Sequence, residues 1–467
     1  MMFRRASLRS DAARCALTLI IGASLSSCAG FKTPSFFGLN KGGKDKQRAT
    51  EGQRIPVLGS AEKISASPAL KGVDFSVPPP QTIAAWPSPG GDAEQSVENV
   101  ELAKGFSIAW RHKIGLGTGR RDHIVAPPIA AENHIFTLDG EGTVEALDES
   151  GHQIWTTTFR PKSGKDREAF GGGLAYADGT LFIASGYRFI AAMDAKTGKV
   201  KWRYETTSPI HGAPNVADGK VFVVDVTDQL IALDAATGQQ AWTYQGLEEP
   251  ARMLEASSPA VAGTVVVAPF ASGELIGLST ANGNQLWQDV LSLTNRNNAL
   301  SEIRDIAGRP VIYRGIVYAG SHAGVFAAID INSGQRVWSL PITTITTPWP
   351  AGDVVYVTDQ SGELVCISRD SGQIYWIKNL NDTILKNYKK GKPKPVKKRI
   401  KAVWSSPVLA SNHIVVVSDQ GEALEFDDKT GALQARLKLG SPAFLSPISM
   451  NGTLYELTNT GELLAIR

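Results

Sequence analysis

The side chains that most often carry chemistry are sparse in this sequence and poorly placed to cooperate. The seven histidines, His112, His123, His134, His152, His211, His322 and His413, are scattered so that no two fall at metal-ligand spacing on one strand. Three cysteines, Cys15, Cys28 and Cys366, are too few for a disulfide framework. Cys366 lies in the apolar run Leu364-Val365-Cys366-Ile367, the setting of an inert core thiol. Gly115-Leu116-Gly117-Thr118-Gly119 has the glycine density of a phosphate-cradling loop, yet the following helix and the P-loop Lys-Ser/Thr are missing, so it reads as a flexible connection. No Gly-x-Ser-x-Gly elbow is present. These residues predict no catalytic site, no metal and no cofactor, and they move the search for function to a surface.

The elements that would build such a surface are repeated. A phrase ending in Trp recurs at Trp155, Trp202, Trp242, Trp287, Trp338 and Trp376, and a seventh copy ends in Ala435; successive intervals are 47, 40, 45, 51, 38 and 59 residues. The chain of 467 residues is too long for one ordinary core, and a period near 45 points to a propeller or solenoid. Each phrase is an alternating strand, a turn of the type Asp-x-x-Thr/Ser-Gly, and a second strand. The Asp can bond the turn backbone and the Gly can take positive φ. Two further strands lie upstream, hinged at signals such as Asp178-Gly179, Asp218-Gly219 and Asn451-Gly452. Four antiparallel strands per unit is the anatomy of a propeller blade.

Pro128, Pro214, Pro259, Pro310, Pro348, Pro407 and Pro447 each fall in the first strand of a unit, where a missing donor is tolerable only at an edge; the first strand is therefore expected to line the channel. The last unit ends at Ile466 without an outer strand, and Phe106-Ser107-Ile108-Ala109-Trp110 supplies one from the other end of the sequence. The expected fold is an all-β, eight-bladed β-propeller of four-stranded antiparallel blades over 104–467, closed by N- and C-terminal strands in one blade. The repeated Asp, Gly and Trp are expected to fit blade to blade.

Residues 1–28 read as an address. An Arg-rich start and the apolar stretch from Cys15 to Leu25 lead to Leu25-Ser26-Ser27-Cys28, which resembles a bacterial lipobox with Cys28 as the lipidated residue. Ala29 after the Cys points to an outer-membrane anchor facing the periplasm. Residues 29–103, with Lys/Gly-rich stretches and the run Pro78-Pro79-Pro80, show no period and are expected to be a flexible tether. The net charge of +3 resides in the signal, where four arginines face Asp11. The neutrality of the remainder conceals a basic loop, 386–401, which has nine Lys or Arg and no acid. Among them Lys389, Lys390, Lys397, Lys398 and Arg399 are candidate contacts for anionic lipid or an acidic partner. Nucleic acid is not an expected partner of a secreted chain.

The long connections, 159–170, 245–257, 290–306 and 379–403, all run from an outer strand to the next inner strand, so they open on one face. Loops on a rigid scaffold are where binding resides. The stretch from Glu249 to Glu255 gathers Arg252, Met253 and Leu254, types that anchor interfaces, and Leu300 to Ile306 sets Arg304 and Asp305 among aliphatics.

Over nearly all of 104–467 the phrase A-x-D-x-x-T-G-x-x-x-W resembles the repeat of pyrroloquinoline-quinone propellers. One branch, the quinone-dependent periplasmic oxidoreductases, implies a vicinal cysteine pair, a calcium site and a catalytic Asp; this sequence has no adjacent cysteines and lacks the large insertions that roof the site in those enzymes. The other is the BamB family of outer-membrane assembly lipoproteins, similar in lipobox, tether, blade number and length. That resemblance implies a non-enzymatic scaffold of the β-barrel assembly (BAM) complex. It would bind the periplasmic domains of BamA and assist folding and insertion of outer-membrane β-barrel clients. It also implies that Arg252, Met253 and Leu254 form one BamA-binding patch and Asp305, beside Arg304, a second.

Overall fold

The computed structural model of the chain describes residues 64–119, 123–160, 169–249, 257–292, 304–384 and 401–467. The described strands form eight four-stranded antiparallel sheets. Blades 1 to 7 span 129–158, 172–205, 215–245, 260–290, 311–340, 349–379 and 408–438; blade 8 joins 448–466 to Ile108–Lys113. In the closing blade Ile108 to Lys113 pair with Ile466 to Glu462, so the strand at the outer edge comes from the opposite end of the propeller sequence. First strands of successive blades adjoin and ring the channel.

Turn chemistry explains why the sequence breaks where it does. Asp178-Gly179, Asp218-Gly219 and Asn451-Gly452 hold paired positive φ values of 46° and 71°, 51° and 66°, and 50° and 74°, which match the twist of a tight hairpin. In the third-to-fourth turns, Asp194 Oδ1 accepts from Thr197 N at 2.9 Å and Thr197 Oγ1 at 2.7 Å, and Asp234 repeats this with Thr237 at 2.8 and 2.7 Å. The prolines stand one residue ahead of their strands rather than inside them: Pro128 precedes Ile129–Ala131 and Pro447 precedes Ile448–Met450. Blade 2 lacks the proline and starts its first strand, Gly172–Ala177, with two glycines.

Each repeated Trp locks its blade to the next. Trp202 Nε1 donates to Ala235 O at 3.0 Å, and its ring lies so close to Gly238 that an added Cβ would sit 2.6 Å away. The same ring-on-turn contact joins Trp110 to Gly151, Trp155 to Gly198, Trp242 to Gly283, Trp287 to Gly334, Trp338 to Gly372 and Trp376 to Gly431. Ala435 is the exception with a reason. The blade it faces, blade 8, has no third-to-fourth turn, because that is where the two ends of the propeller meet and Ser107 and Arg467 exchange backbone bonds of 3.0 Å. With no turn there to lock, a Trp would have no partner.

The tether expectation requires correction from Ile64 onward; 29–63 lies outside the described residues. Phe75, Trp86 and Val100 are 6%, 1% and 0% exposed and belong to the core. Residues 83–103 run around one end of the channel and bond every blade in turn. Ile83 O accepts from Asn451 N in blade 8, Trp86 O from Ala130 N in blade 1, and Pro87 O from Tyr176 N in blade 2, at 2.8, 2.9 and 2.7 Å. Ala93 O takes Asn215 Nδ2 of blade 3 at 2.8 Å and Val261 N of blade 4 at 2.7 Å. Glu94 O takes Ile312 N of blade 5 at 2.8 Å, Glu98 O takes Trp349 Nε1 of blade 6 at 2.7 Å, and Val100 N donates to Leu409 O of blade 7 at 3.0 Å. The physical cause is the ring of first strands, whose inner edges present backbone groups that need partners. A segment following a closed ring has no period of 2 or 3.6, so its order left no periodic trace.

Candidate functional face

Residues 64–103 occupy the face of the first-to-second and third-to-fourth turns: Ser76 bonds Asp353 and Ser67 bonds Gln373. The opposite face carries the second-to-third turns and the connections between blades. One of its turns, Phe270 to Glu274 in blade 4, collects both connections singled out above. From the first, Leu247 N donates to Glu274 Oε2 at 3.0 Å. From the second, Leu291 N donates to Gly273 O at 2.8 Å, and the Arg304 carbonyl lies 3.0 Å from where a Gly273 Cβ would be. Gly273 has φ +83° and leaves no room for a side chain under Arg304. Glu274 is 4% exposed and also accepts from Ser272 Oγ at 3.0 Å and from Gln288, so the turn is rigidly held.

Arg304 is exposed on this face. Asp305 is only 7% exposed, and its carbonyl accepts from His322 N at 3.0 Å, so it belongs to the support beneath the surface. Arg252, Met253 and Leu254 lie outside the described residues, as do Cys28 and Lys389, Lys390, Lys397, Lys398 and Arg399. Sequence reasoning overlooked Leu247, which at 67% is the most exposed large apolar side chain among the described residues. Its signal was faint, a single Leu between Gly246 and two acids.

The remaining chemical groups are spent on structure. His112 pairs with Glu145 at 3.1 Å, and His152 with Asp148 at 3.2 Å. The glycine-rich stretch is pinned to blade 8 through Ile114 N to Gly461 O at 2.9 Å and Thr118 N to Asn459 O at 2.6 Å. Burial pushes the Cys366 thiol well above its ordinary range, as befits a fully enclosed core residue. Among the described residues no group of three His, Cys, Asp or Glu is arranged to hold a metal ion. Cys366 is the one cysteine in the sequence from 104 to 467, so the vicinal pair that the quinone branch implies is not offered.

Residues 140–378 match the family described as outer membrane protein assembly factor BamB, a span of more than half the chain. The chain belongs to the BamB family. It is 29% identical to the BamB of Escherichia coli (strain K12) over 366 residues, covering 77% of this chain and 88% of that one. To the BamB of Bordetella pertussis it is 26% identical over 383 residues, with 80% and 91% covered. Among solved structures, BamB from Moraxella catarrhalis superposes with a TM-score of 0.62 at 19% identity, covering 77% of this chain and all of that one. A europium-containing methanol dehydrogenase superposes equally well, with a TM-score of 0.63 at 14% identity and coverage of 80% and 89%. Likeness at that level shows the propeller alone, which both BamB proteins and dehydrogenases use.

Proposed function

We propose that this chain is a non-enzymatic scaffold of the outer-membrane β-barrel assembly machinery, anchored to the outer membrane by lipid on Cys28 and facing the periplasm. It binds the periplasmic domains of BamA through the connection face and thereby assists folding and insertion of β-barrel clients. Family membership supports the assembly role. The observation that carries the site is the meeting of the Leu247 and Arg304 connections on the single turn Phe270 to Glu274. An exposed aliphatic and an exposed guanidinium on a rigid turn are the ingredients of an interface anchor. Arg252, Met253 and Leu254 follow Leu247 in the sequence of the same connection, and the family resemblance gives them a partner-binding role. Asp305 contributes by holding its connection against His322 rather than by touching the partner. The basic loop 386–401, with nine Lys or Arg and no acid, serves as a separate contact to anionic lipid headgroups.

The decisive variant combines Leu254→Asp with Arg304→Glu and leaves buried Asp305 intact. Recovery of BamA from detergent-solubilised outer membranes should fall at least tenfold while the melting temperature stays unchanged. Undiminished recovery would remove the site and leave the family role untouched. For the loop, deleting 386–401 should weaken binding to vesicles containing anionic lipid and leave neutral vesicles unaffected.

A further inference from the structure

We infer that the open end of the central channel is a binding site for a compact anion, a carboxylate or a phosphate-sized oxyanion, held by Arg309. The channel is closed at one end by residues 83–103. At the other it opens into a cavity of about 80 Å³, lined by residues that lead into the first strands of blades 1, 5, 6, 7 and 8. That is several times the ~10–15 Å³ needed for one water. Arg309 contributes to the wall together with Thr346, Thr347, Ser405, Ser406 and Ser446.

The guanidinium has five donors, and the protein satisfies few of them. Arg309 Nη2 makes one long bond of 3.4 Å to Pro89 O in the segment that closes the channel. Its Nε is sealed from solvent and has no partner. No carboxylate among the described residues lies within 4 Å of it, whereas Arg160, Arg336 and Arg436 each hold one. Burial alone acts on its pKa, lowering it to about 10, so it stays charged at neutral pH. Arg309 is half-buried with its Nε sealed; a cation partly withdrawn from water without a counter-charge is retained at a cost unless something supplies the charge, and a planar fork of N–H groups matches the oxygens of a carboxylate or phosphate. The rest of the wall is Ser and Thr hydroxyls, backbone and apolar side chains such as Trp404 and Phe444, with no Asp or Glu to repel an anion.

Calorimetric titration of the full chain in detergent with inorganic phosphate and with acetate, each against chloride at fixed ionic strength, tests the site. At least one should bind saturably, and Arg309→Gln should weaken that binding tenfold or more with an unchanged circular dichroism spectrum. A short peptide with a free C-terminal carboxylate and its amide distinguish the sources. Tighter binding of the free acid than of acetate, with none by the amide, assigns the site to a chain terminus; tighter phosphate or acetate binding assigns it to a free ion. Should Arg309→Gln not fold, Ser446→Phe decides, because it fills the mouth and keeps the arginine; binding should again be lost. No saturable binding by the unaltered protein, or equal binding by Arg309→Gln or Ser446→Phe, would overturn the inference.

Discussion

Seen along the channel, the two faces of the ring are made from the same eight blades and end in opposite ways. On one, the inner edges of all eight blades bond residues 83–103, and the third-to-fourth turns are locked by tryptophans from the preceding blade. On the other, the channel opens beside Arg309, and the connections between blades hold an exposed Leu247 and Arg304 on one turn. Substitution should therefore cost stability on the closed face and binding on the open one. The largest effect is expected at Trp86, which is 1% exposed and stacked on Trp349 with ring centroids 6.2 Å apart. Trp86→Ala should lower stability by about 3–5 kcal/mol, read from the urea midpoint, with BamA recovery from intact protein unchanged. A loss of recovery at temperatures where the variant remains folded would break the division between faces.

The locks allow a comparison within the closed face itself. Gly238 has φ +72° and the Trp202 ring 2.6 Å from an added Cβ, so Gly238→Ala combines a left-handed alanine with overpacking and should cost about 2–4 kcal/mol. Ala435→Trp should recover nothing of that size, because the turn it would cover does not exist. A gain comparable to a lock would mean that the tryptophans act within their own sheet and not on the neighbouring turn.

These residues also mark how far sequence reading reaches. Blade number, strand order and closure were legible because one steric requirement, a ring over a glycine turn, is met seven times and so leaves seven copies of the same spacing. The single departure at Ala435 carried as much information as the copies, since it marks the joint. Residues 83–103 were illegible for the opposite reason: each bonds a different blade once, so Trp86 and Val100 are buried by a path and not by a period. Arg309 was equally hidden, because a Gly-Arg-Pro ahead of a strand looks like any turn until eight strands gather around it. That Arg304 is exposed on a connection agreed with the sequence reading. The burial of Asp305 did not, because a charged residue in a connection gives no local sign of which side faces the core.

Between the faces, inside blade 8, lies Glu456, fully buried with neither carboxylate oxygen bonded. Burial holds its carboxyl well above the ordinary glutamate range, so the folded protein keeps it protonated where the unfolded chain would ionise it. Its contribution is thus most favourable below the unfolded value of about 4.3 and is lost as pH rises from there toward the folded value. Glu456→Leu should raise stability at neutral pH by about 1–3 kcal/mol and flatten the decline in melting temperature above pH 4. An unchanged slope would show that another group carries it.

The smallest expected effect contrasts the faces most directly, because both use aspartates to bind turn N–H groups. On the closed face, hydrogen bonds from Thr197 and Thr237 hold the carboxyls of Asp194 and Asp234 below the ordinary aspartate range. On the open face Asp139 accepts from Thr143 N at 2.7 Å and Glu141 N at 2.9 Å, and Asp359 from Glu363 N at 2.6 Å, yet burial outweighs those bonds and pushes both carboxyls up. What Asp194 and Asp234 contribute is present above the unfolded value of about 3.9 and lost as pH falls through their lower folded values. What Asp139 and Asp359 contribute is present below that value and lost as pH rises through their higher folded ones. On acidification Asp139 and Asp359 should therefore take up protons before Asp194 and Asp234 do. Carbon-13 titration of the side-chain carboxyls should place Asp139 and Asp359 above Asp194 and Asp234, and Asp139→Asn should reduce the pH dependence of stability above pH 4 by ~1 kcal/mol or less. The reverse order would mean that the open-face turns are better hydrated than their burial implies, and that the two faces differ in what covers them but not in how their turns are built.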